Sequence, residues 1–323
     1  MAFVVNESTG VTIPLKAYHL FGRLALSVDT VIERPEISRI HCSIEWVETG
    51  WVIIDRSSNG TYLNEEKLVA NQATPLNIGD EICFGISSSN RFIVRAITPP
   101  QDILIPSDQY IFGEKDILPL TNYNLLPSEN EPEIALYFDR YKGVWCLEST
   151  NTHTQSEQRL QDKDLIVFAN RRWQLFLSQI TCKTQPIQAE GYSLESVNCV
   201  FKTSMDEEYT HLMVQTPQGE IDLEARIHHY LTLVLARYKA DSIEMGLEES
   251  EQGWVYTEQL AKDLGLSETH LNIQIHRARK QFSNAMPFNE DSQQFIQRRS
   301  GKVRLGASKV QIYKGQTLEC TFE

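Results

Sequence analysis

Apolar and polar positions alternate over short runs through the first hundred residues. Ile44 and Trp46, Trp51 and Ile53, and Ile82 and Phe84 are each spaced by two. Period-two spacing puts those side chains on one face of a strand. Asn59-Gly60 and Gly79-Asp80 supply turns between the runs, which predicts an all-β sandwich over 1–98. Pro99-Pro100 interrupts the pattern, and a similar rhythm resumes over 101–182. Beyond 190 the period changes. VNCVF (197–201) and HLMV (211–214) read as strands with a turn at 217–219. Leu223, Ile227, Tyr230, Leu231, Val234, Leu235 and Tyr238 then fall on one helical stripe. Thr257 is the expected N-cap of EQLAKDL, with Gly265 as its stop. Ser267 is the expected cap of a second helix over 267–283, with Leu271, Ile275, Ala278 and Phe282 on its apolar face. FIQRRSGKVRLG reads as a hairpin turning at Ser300-Gly301.

Composition adds limits. The 323 residues, 41% hydrophobic and 23% charged, fit two or three globular domains. The N-terminus has no basic stretch followed by a long apolar run, so no signal peptide is expected. The most apolar later run, HYLTLVLARY, is too short to span a bilayer. Cysteines 42, 83, 146, 182, 199 and 320 are scattered without a CxxC pair, which predicts reduced thiols in a cytoplasmic protein and no metal site. The net charge of −13 disfavours non-specific nucleic-acid binding. Its distribution is uneven: from His270 onward nine Lys/Arg face four Asp/Glu, a net +5, leaving −18 on the rest.

Ser38, His41 and Asp55 are the residue types of a hydrolytic triad. Yet no G-x-S-x-G elbow surrounds the serine, and a serine three residues before its histidine on one loop is an unusual triad geometry. No glycine-rich phosphate loop, metal cluster or spaced acid pair occurs either. The expectation is a non-enzyme without cofactors. A guanidinium (Arg23), hydroxyls (Ser38, Ser58) and an amide (Asn59) on three loops would instead form a socket for one phosphate.

The ordered set FGR, SRIH, DRSSNGTYLN and LNIGDEICFG resembles the forkhead-associated (FHA) domain, a reader of phosphothreonine peptides. The resemblance covers about the first hundred residues. It implies that Arg23 and Ser38 hold the phosphate with help from Ser58, that Asn59 grips the peptide main chain, and that Arg39 touches phosphate or peptide. His41 would brace the loop carrying Ser38, and Gly22 and Gly60 would serve tight loops. The implied partner is a phosphothreonine protein, a Ser/Thr kinase or its substrate.

Over 101–182 the same marks recur in weaker form. FGRL (21–24) is echoed by FGEK (112–115), GWVIID (50–55) by GVWCLE (143–148), and LNIGDEICFG (76–85) by LQDKDLIVFA (160–169). This predicts a degenerate FHA-like sandwich. Glu114 would stand at the arginine position, and the Asn-Gly loop is missing, so no phosphate binding is expected.

The C-terminal part, 190–318, is expected to be an α+β winged helix-turn-helix domain. NIQIHRARKQF and FIQRRSGKVRL resemble the DNA-binding domain of winged-helix response regulators. That likeness implies duplex-DNA contact from the outer face of the helix over 267–283, through Ile273, His276, Arg277 and Lys280. Arg298, Arg299, Lys302 and Arg304 of the wing would rest on the backbone. The implied protein couples phosphothreonine reading to transcription. The competing expectation is a signalling scaffold whose winged helix docks protein. Oligomeric state is left open, and so is the function of the middle domain.

Overall fold

The structure, a computed structural model, describes residues 1–85, 90–139, 142–150, 157–178, 193–285 and 294–323. Cys182, and the domain limits expected at 182 and 190, lie outside the described residues. The chain forms two compact units, 1–120 with 161–184, and 121–160 with 185–323.

The N-terminal sandwich has two sheets. One runs in the order Thr12–Pro14, Ala2–Asn6, Arg91–Ile97, Glu81–Phe84, Thr61–Leu63, Glu66–Lys67. The other runs Thr30–Val31, Tyr18–Gly22, Cys42–Val47, Gly50–Asp55, Ala73–Pro75. Alternation drives the burial: Ile44, Ile53, Ile82 and Phe84 are fully buried, joined by Phe21, Trp51, Phe92 and Val94 in one core. Phe84 packs on Phe21 and Phe92 at ring-centroid distances of 5.1 and 5.4 Å. Closing an antiparallel sheet on this core leaves the connecting loops at the ends of the strands, where a site can be displayed.

The stretch 101–182 contributes one four-stranded sheet to each unit. In the first unit the order is Leu118–Pro119, Ile103–Pro106, Arg171–Phe176, Leu165–Phe168. In the second it is Tyr123–Leu126, Ile134–Asp139, Val144–Ser149, Gln158–Leu160. Strand for strand, these orders reproduce four neighbours of each sheet of the N-terminal sandwich. Leu126 pairs with Ile134 and Ile134 with Ser149, as Phe21 pairs with Cys42 and Cys42 with Asp55.

The second unit also contains a five-stranded sheet, ordered Gly219–Ala225, Thr210–Thr216, Asn198–Thr203, Lys309–Lys314, Thr317–Phe322, in which Asn198–Thr203 and Lys309–Lys314 run parallel. Three helices follow its first strands: α1 (Ile227–Glu244), α2 (Thr257–Asp263) and α3 (Glu268–Ala285). A three-stranded sheet of Val255–Tyr256, Lys302–Leu305 and Ile296–Arg299 completes it. The hairpin between the last two turns at Ser300 and Gly301, both at positive φ (49° and 75°), the geometry that tight hairpin turns demand.

Two sequence expectations for the helices need correction. Leu223 belongs to the strand before α1, and Ile227, its first residue, is exposed, because the strand continues to Ala225. Thr257 is inside α2 rather than its cap, and its hydroxyl donates to the Gly301 carbonyl at 3.0 Å. Ser267 does cap α3, accepting from the His270 N–H at 3.3 Å. Leu271, Ile275, Ala278 and Phe282 are buried as one face. No helix among the described residues is long and apolar enough to cross a membrane.

Candidate functional site

Three loops of the N-terminal sandwich meet at one end. The strand Tyr18–Gly22 delivers Arg23, whose N–H donates to the Ser38 carbonyl at 3.1 Å. Gly22 permits this approach: a Cβ there would lie 2.2 Å from the Arg39 carbonyl oxygen, closer than any side chain tolerates. The Ser58 N–H donates to Ser38 Oγ at 3.1 Å, and Asn59 Nδ2 donates to the Glu36 carbonyl at 2.6 Å. The fourfold set Arg23, Ser38, Ser58 and Asn59 is thus assembled by main-chain and side-chain bonds between loops far apart in sequence. Arg23 and Arg39 are exposed, and neither guanidinium has a hydrogen bond or ion pair among the described residues.

His41 is fully buried beneath these loops. Its Nδ1 accepts the Ser38 N–H at 3.1 Å, which leaves Nε2 to donate to the Gly60 carbonyl at 3.2 Å. Its ring stands edge-on to Phe84, 5.6 Å between centroids. Burial lowers its pKa, so the neutral ring is the form that makes both bonds. Gly60 sits at φ +100°, a conformation suited to glycine.

This geometry disposes of the triad. Both His41 nitrogens are spent on main-chain groups. Asp55 is occupied elsewhere, accepting from the Ser57 N–H at 3.1 Å and the Thr61 hydroxyl at 2.8 Å. Ser38 Oγ accepts a hydrogen bond, and no base contacts it among the described residues.

Sequence reading missed Glu36, whose carbonyl anchors Asn59, and Ser57, whose hydroxyl accepts the Gly60 N–H at 2.7 Å. It also missed Asp55 as the carboxylate that folds the 55–61 turn. The DRSSNGT run carried the signal for Ser57 and Asp55, since short acidic and hydroxyl side chains bond their own backbone two or three residues on. Nothing local marked Glu36, which contributes only a carbonyl.

The expected phosphate loop of the second copy is displaced from where the sequence echo put it. FGEK lies before the equivalent strand, and Glu114 sits in a 3-10 turn. By register, the segment 127–133, PSENEPE, stands where 22–41 stands in the N-terminal sandwich. The arginine position falls at Ser128.

The expected DNA face also differs. His276 is buried, its Nδ1 2.6 Å from the Tyr123 hydroxyl, and burial pushes its pKa well down. Arg298 is tucked inward and donates to Asn272 Oδ1 at 3.0 Å. Beside them Arg279 is 1% exposed, donates to the Ile296 carbonyl at 3.1 and 2.6 Å, and lies 3.6 Å from Glu148. The helix face carrying His276 is therefore packed against the 123–160 sheet, because that sheet offers hydroxyl and carboxylate partners. Ile273 is half-buried. Arg277, Lys280, Arg299, Lys302 and Arg304 stay at the surface, half-buried or exposed.

Among the described residues one group has metal-ligand chemistry, Asp139, Cys146 and Glu157. The Lys142 ammonium, 2.7 Å from Asp139 and 2.8 Å from Glu157, already supplies the countercharge there.

The N-terminal β-sandwich thus gathers polar side chains on loops at one end, with no nucleophile–base pair among the described residues of that cluster. Residues 19–85 match the family model described as FHA domain, and the N-terminal sandwich contains an FHA domain. Among solved structures, the MEK1 FHA domain in complex with a HOP1 phosphothreonine peptide is 30% identical, covering 30% of this chain and 97% of its own (TM-score 0.26). The N-terminal FHA domain of S. cerevisiae RAD53P in complex with a phosphothreonine peptide is 24% identical, covering 30% and 93% (TM-score 0.28). Mycobacterium tuberculosis EmbR in complex with a low-affinity phosphopeptide is 31% identical, covering 30% of this chain and 25% of EmbR (TM-score 0.27). A search of curated proteins gave no match.

Proposed function

We propose that this chain is a non-catalytic signalling protein that binds phosphothreonine peptides through its FHA domain. The observation that carries the reading is the loop cluster: Ser38 and Ser58 tied together, Asn59 anchored on the same loop, and Arg23, bonded to Ser38 through its main chain, with an exposed guanidinium that has no partner among the described residues. Phosphate would take charge-assisted bonds from Arg23 and hydroxyl bonds from Ser38 and Ser58. Asn59 keeps its Oδ1 and one N–H for a peptide main chain. Arg39 supplies a second exposed cation at the rim. Isothermal calorimetry of the full chain against a phosphothreonine peptide library tests it. Binding that needs the phosphate and is weakened about tenfold or more in Arg23→Ala is expected; no binder, or an unaffected variant, refutes it.

The 101–182 stretch is proposed as a degenerate second copy, supported by the matched strand orders and pairings. Its counterpart of the phosphate loop carries Glu129, Glu131 and Glu133, which repel phosphate.

A second activity is favoured by one observation. A helix, a tight turn, a second helix and a basic hairpin bring Arg277, Lys280, Arg299, Lys302 and Arg304 into one unit. We propose that these cations contact the backbone of duplex DNA. With His276 buried and Arg298 half-buried and bonded to Asn272, this contact is to phosphates and carries little base readout. Absence of DNA affinity would leave the protein-docking scaffold as the function of this part.

A further inference from the structure

Each basic element of the second unit is covered by an acidic loop of the same unit. On α3, Lys280 Nζ lies 2.7 Å from Glu129 Oε1, and Arg277 donates through Nη2 (2.7 Å) and Nε (3.1 Å) to the Glu129 carbonyl. On the hairpin, Arg299 Nη2 lies 2.9 Å from both carboxylate oxygens of Glu251. Arg304 Nη1 donates to the Glu249 carbonyl at 3.1 Å. Arg299 and Arg304 both stack on Trp254, 4.7 Å from its ring centroid. The covering loops are PSENEPE (127–133) and LEESEQ (247–252), with three glutamates each.

The first loop occupies the position that carries the phosphate-binding loop in the N-terminal sandwich. There, two exposed arginines await an anion; here, a glutamate holds a lysine and an arginine of α3. Over 23–41, Arg23, Arg34 and Arg39 balance Asp29, Glu33 and Glu36, whereas 127–133 holds three glutamates and no cation, and so it grips cations. The second loop is the long acidic insert between α1 and α2, and it gives the carboxylate for the hairpin.

We propose that these two loops are carboxylate clasps that hold closed a duplex-DNA surface made of α3 and the 296–305 hairpin. The inference rests on the phosphate-contact reading above. Carboxylates and phosphodiesters compete for the same guanidinium and ammonium donors. The clasps are suited to exchange because they lie at the surface. The Glu129 and Glu251 side chains are 65% and 52% exposed, and exposed pairs are weak and salt-screened. The buried contacts of α3 through His276 and Arg279 are separate from them and stay in place when a clasp opens. DNA therefore meets the rim of α3 and the hairpin without unpacking the helix.

The experiment is fluorescence anisotropy of the full chain with a labelled random duplex of about 20 base pairs, over a salt series beginning near about 50 mM. The wild type is compared with Glu129→Gln/Glu251→Gln, and melting curves confirm that both are folded. The double variant is expected to bind about tenfold or more tightly than wild type at the lowest salt. Its log–log salt slope should steepen by about two, since Lys280 and Arg299 lose their carboxylate partners at about 0.9 per phosphate contact. Adding Arg299→Glu to the double variant is expected to return affinity to the wild-type level or below. Equal, salt-dependent binding by wild type and double variant overturns the clasps while leaving DNA contact standing. No binding by either at low salt overturns the DNA reading itself. Tighter binding that Arg299→Glu leaves unchanged overturns the hairpin's part in the surface.

Discussion

His41→Ala separates a brace from a ligand contact. The imidazole is fully buried and joins two loops, accepting from the Ser38 N–H and donating to the Gly60 carbonyl. Truncation orphans both main-chain groups, at about 1–3 kcal/mol each when water cannot reach them. It also empties the space beside Phe84, which adds about 1–2 kcal/mol after partial collapse. Water entering from the exposed side of Ser38 recovers part of this, so the expected loss is about 3–4 kcal/mol, a large fraction of a domain's stability. Differential scanning calorimetry should show the FHA transition several degrees lower. Calorimetry with a phosphothreonine peptide, run well below that transition, should show weakened but measurable affinity, because Arg23, Ser38 and Ser58 remain. A variant that melts at the wild-type temperature yet loses all binding would refute the brace and make His41 a phosphate ligand. The pH dependence has a definite sign. Burial depresses the folded-state pKa, so the stabilisation by neutral His41 is complete above the ordinary histidine pKa of about 6.5 and is lost as pH falls below it. His19, lowered to about 4 mainly by burial in the same unit, acts in the same direction.

Arg23→Ala should do the converse: unchanged melting, and peptide affinity reduced by about tenfold to a hundredfold, which is about 1.5–3 kcal/mol for a charge-assisted contact. Because residues 127–133 carry three glutamates and no cation, titration of the wild type should show a single phosphate-dependent site. Gly22→Ala should destabilise the FHA domain, since the added methyl meets the Arg39 carbonyl and one loop must move; an unchanged melting curve would contradict the close approach. In the second unit, Arg237 and Lys314 hold the Glu207 carboxyl down to about 2. That depression contributes stability above the ordinary carboxylate pKa of about 4.5, and the contribution is lost as pH falls from there towards about 2. Glu207→Gln should remove about 2 kcal/mol at neutral pH and flatten this acid limb in urea titrations.

Much was written in local pattern. Period-two alternation placed the strands of the N-terminal sandwich, because burial of one sheet face selects alternate side chains wherever the strand lies. The Asn59-Gly60 turn and the Gly22-Arg23 pair were legible because φ constraints and charge are properties of single residues. The apolar face of α3 followed from helical spacing alone. Which cations remained at the surface was not legible, since that depends on what packs against them. His276 and Arg298 look like outward polar residues in sequence, and they are internal only because a sheet from 123–160 brings Tyr123 and Glu148 to that face. The sequence echo at FGEK does not coincide with the matching strand pairing for the same reason: register, set across the sheet, puts 127–133 rather than 112–115 between the paired strands. Glu129 and Glu251 are two of 43 acidic residues. Only tertiary proximity picks them out, because a charge acts through distance, and distance between residues 48 or 151 positions apart is decided by the fold.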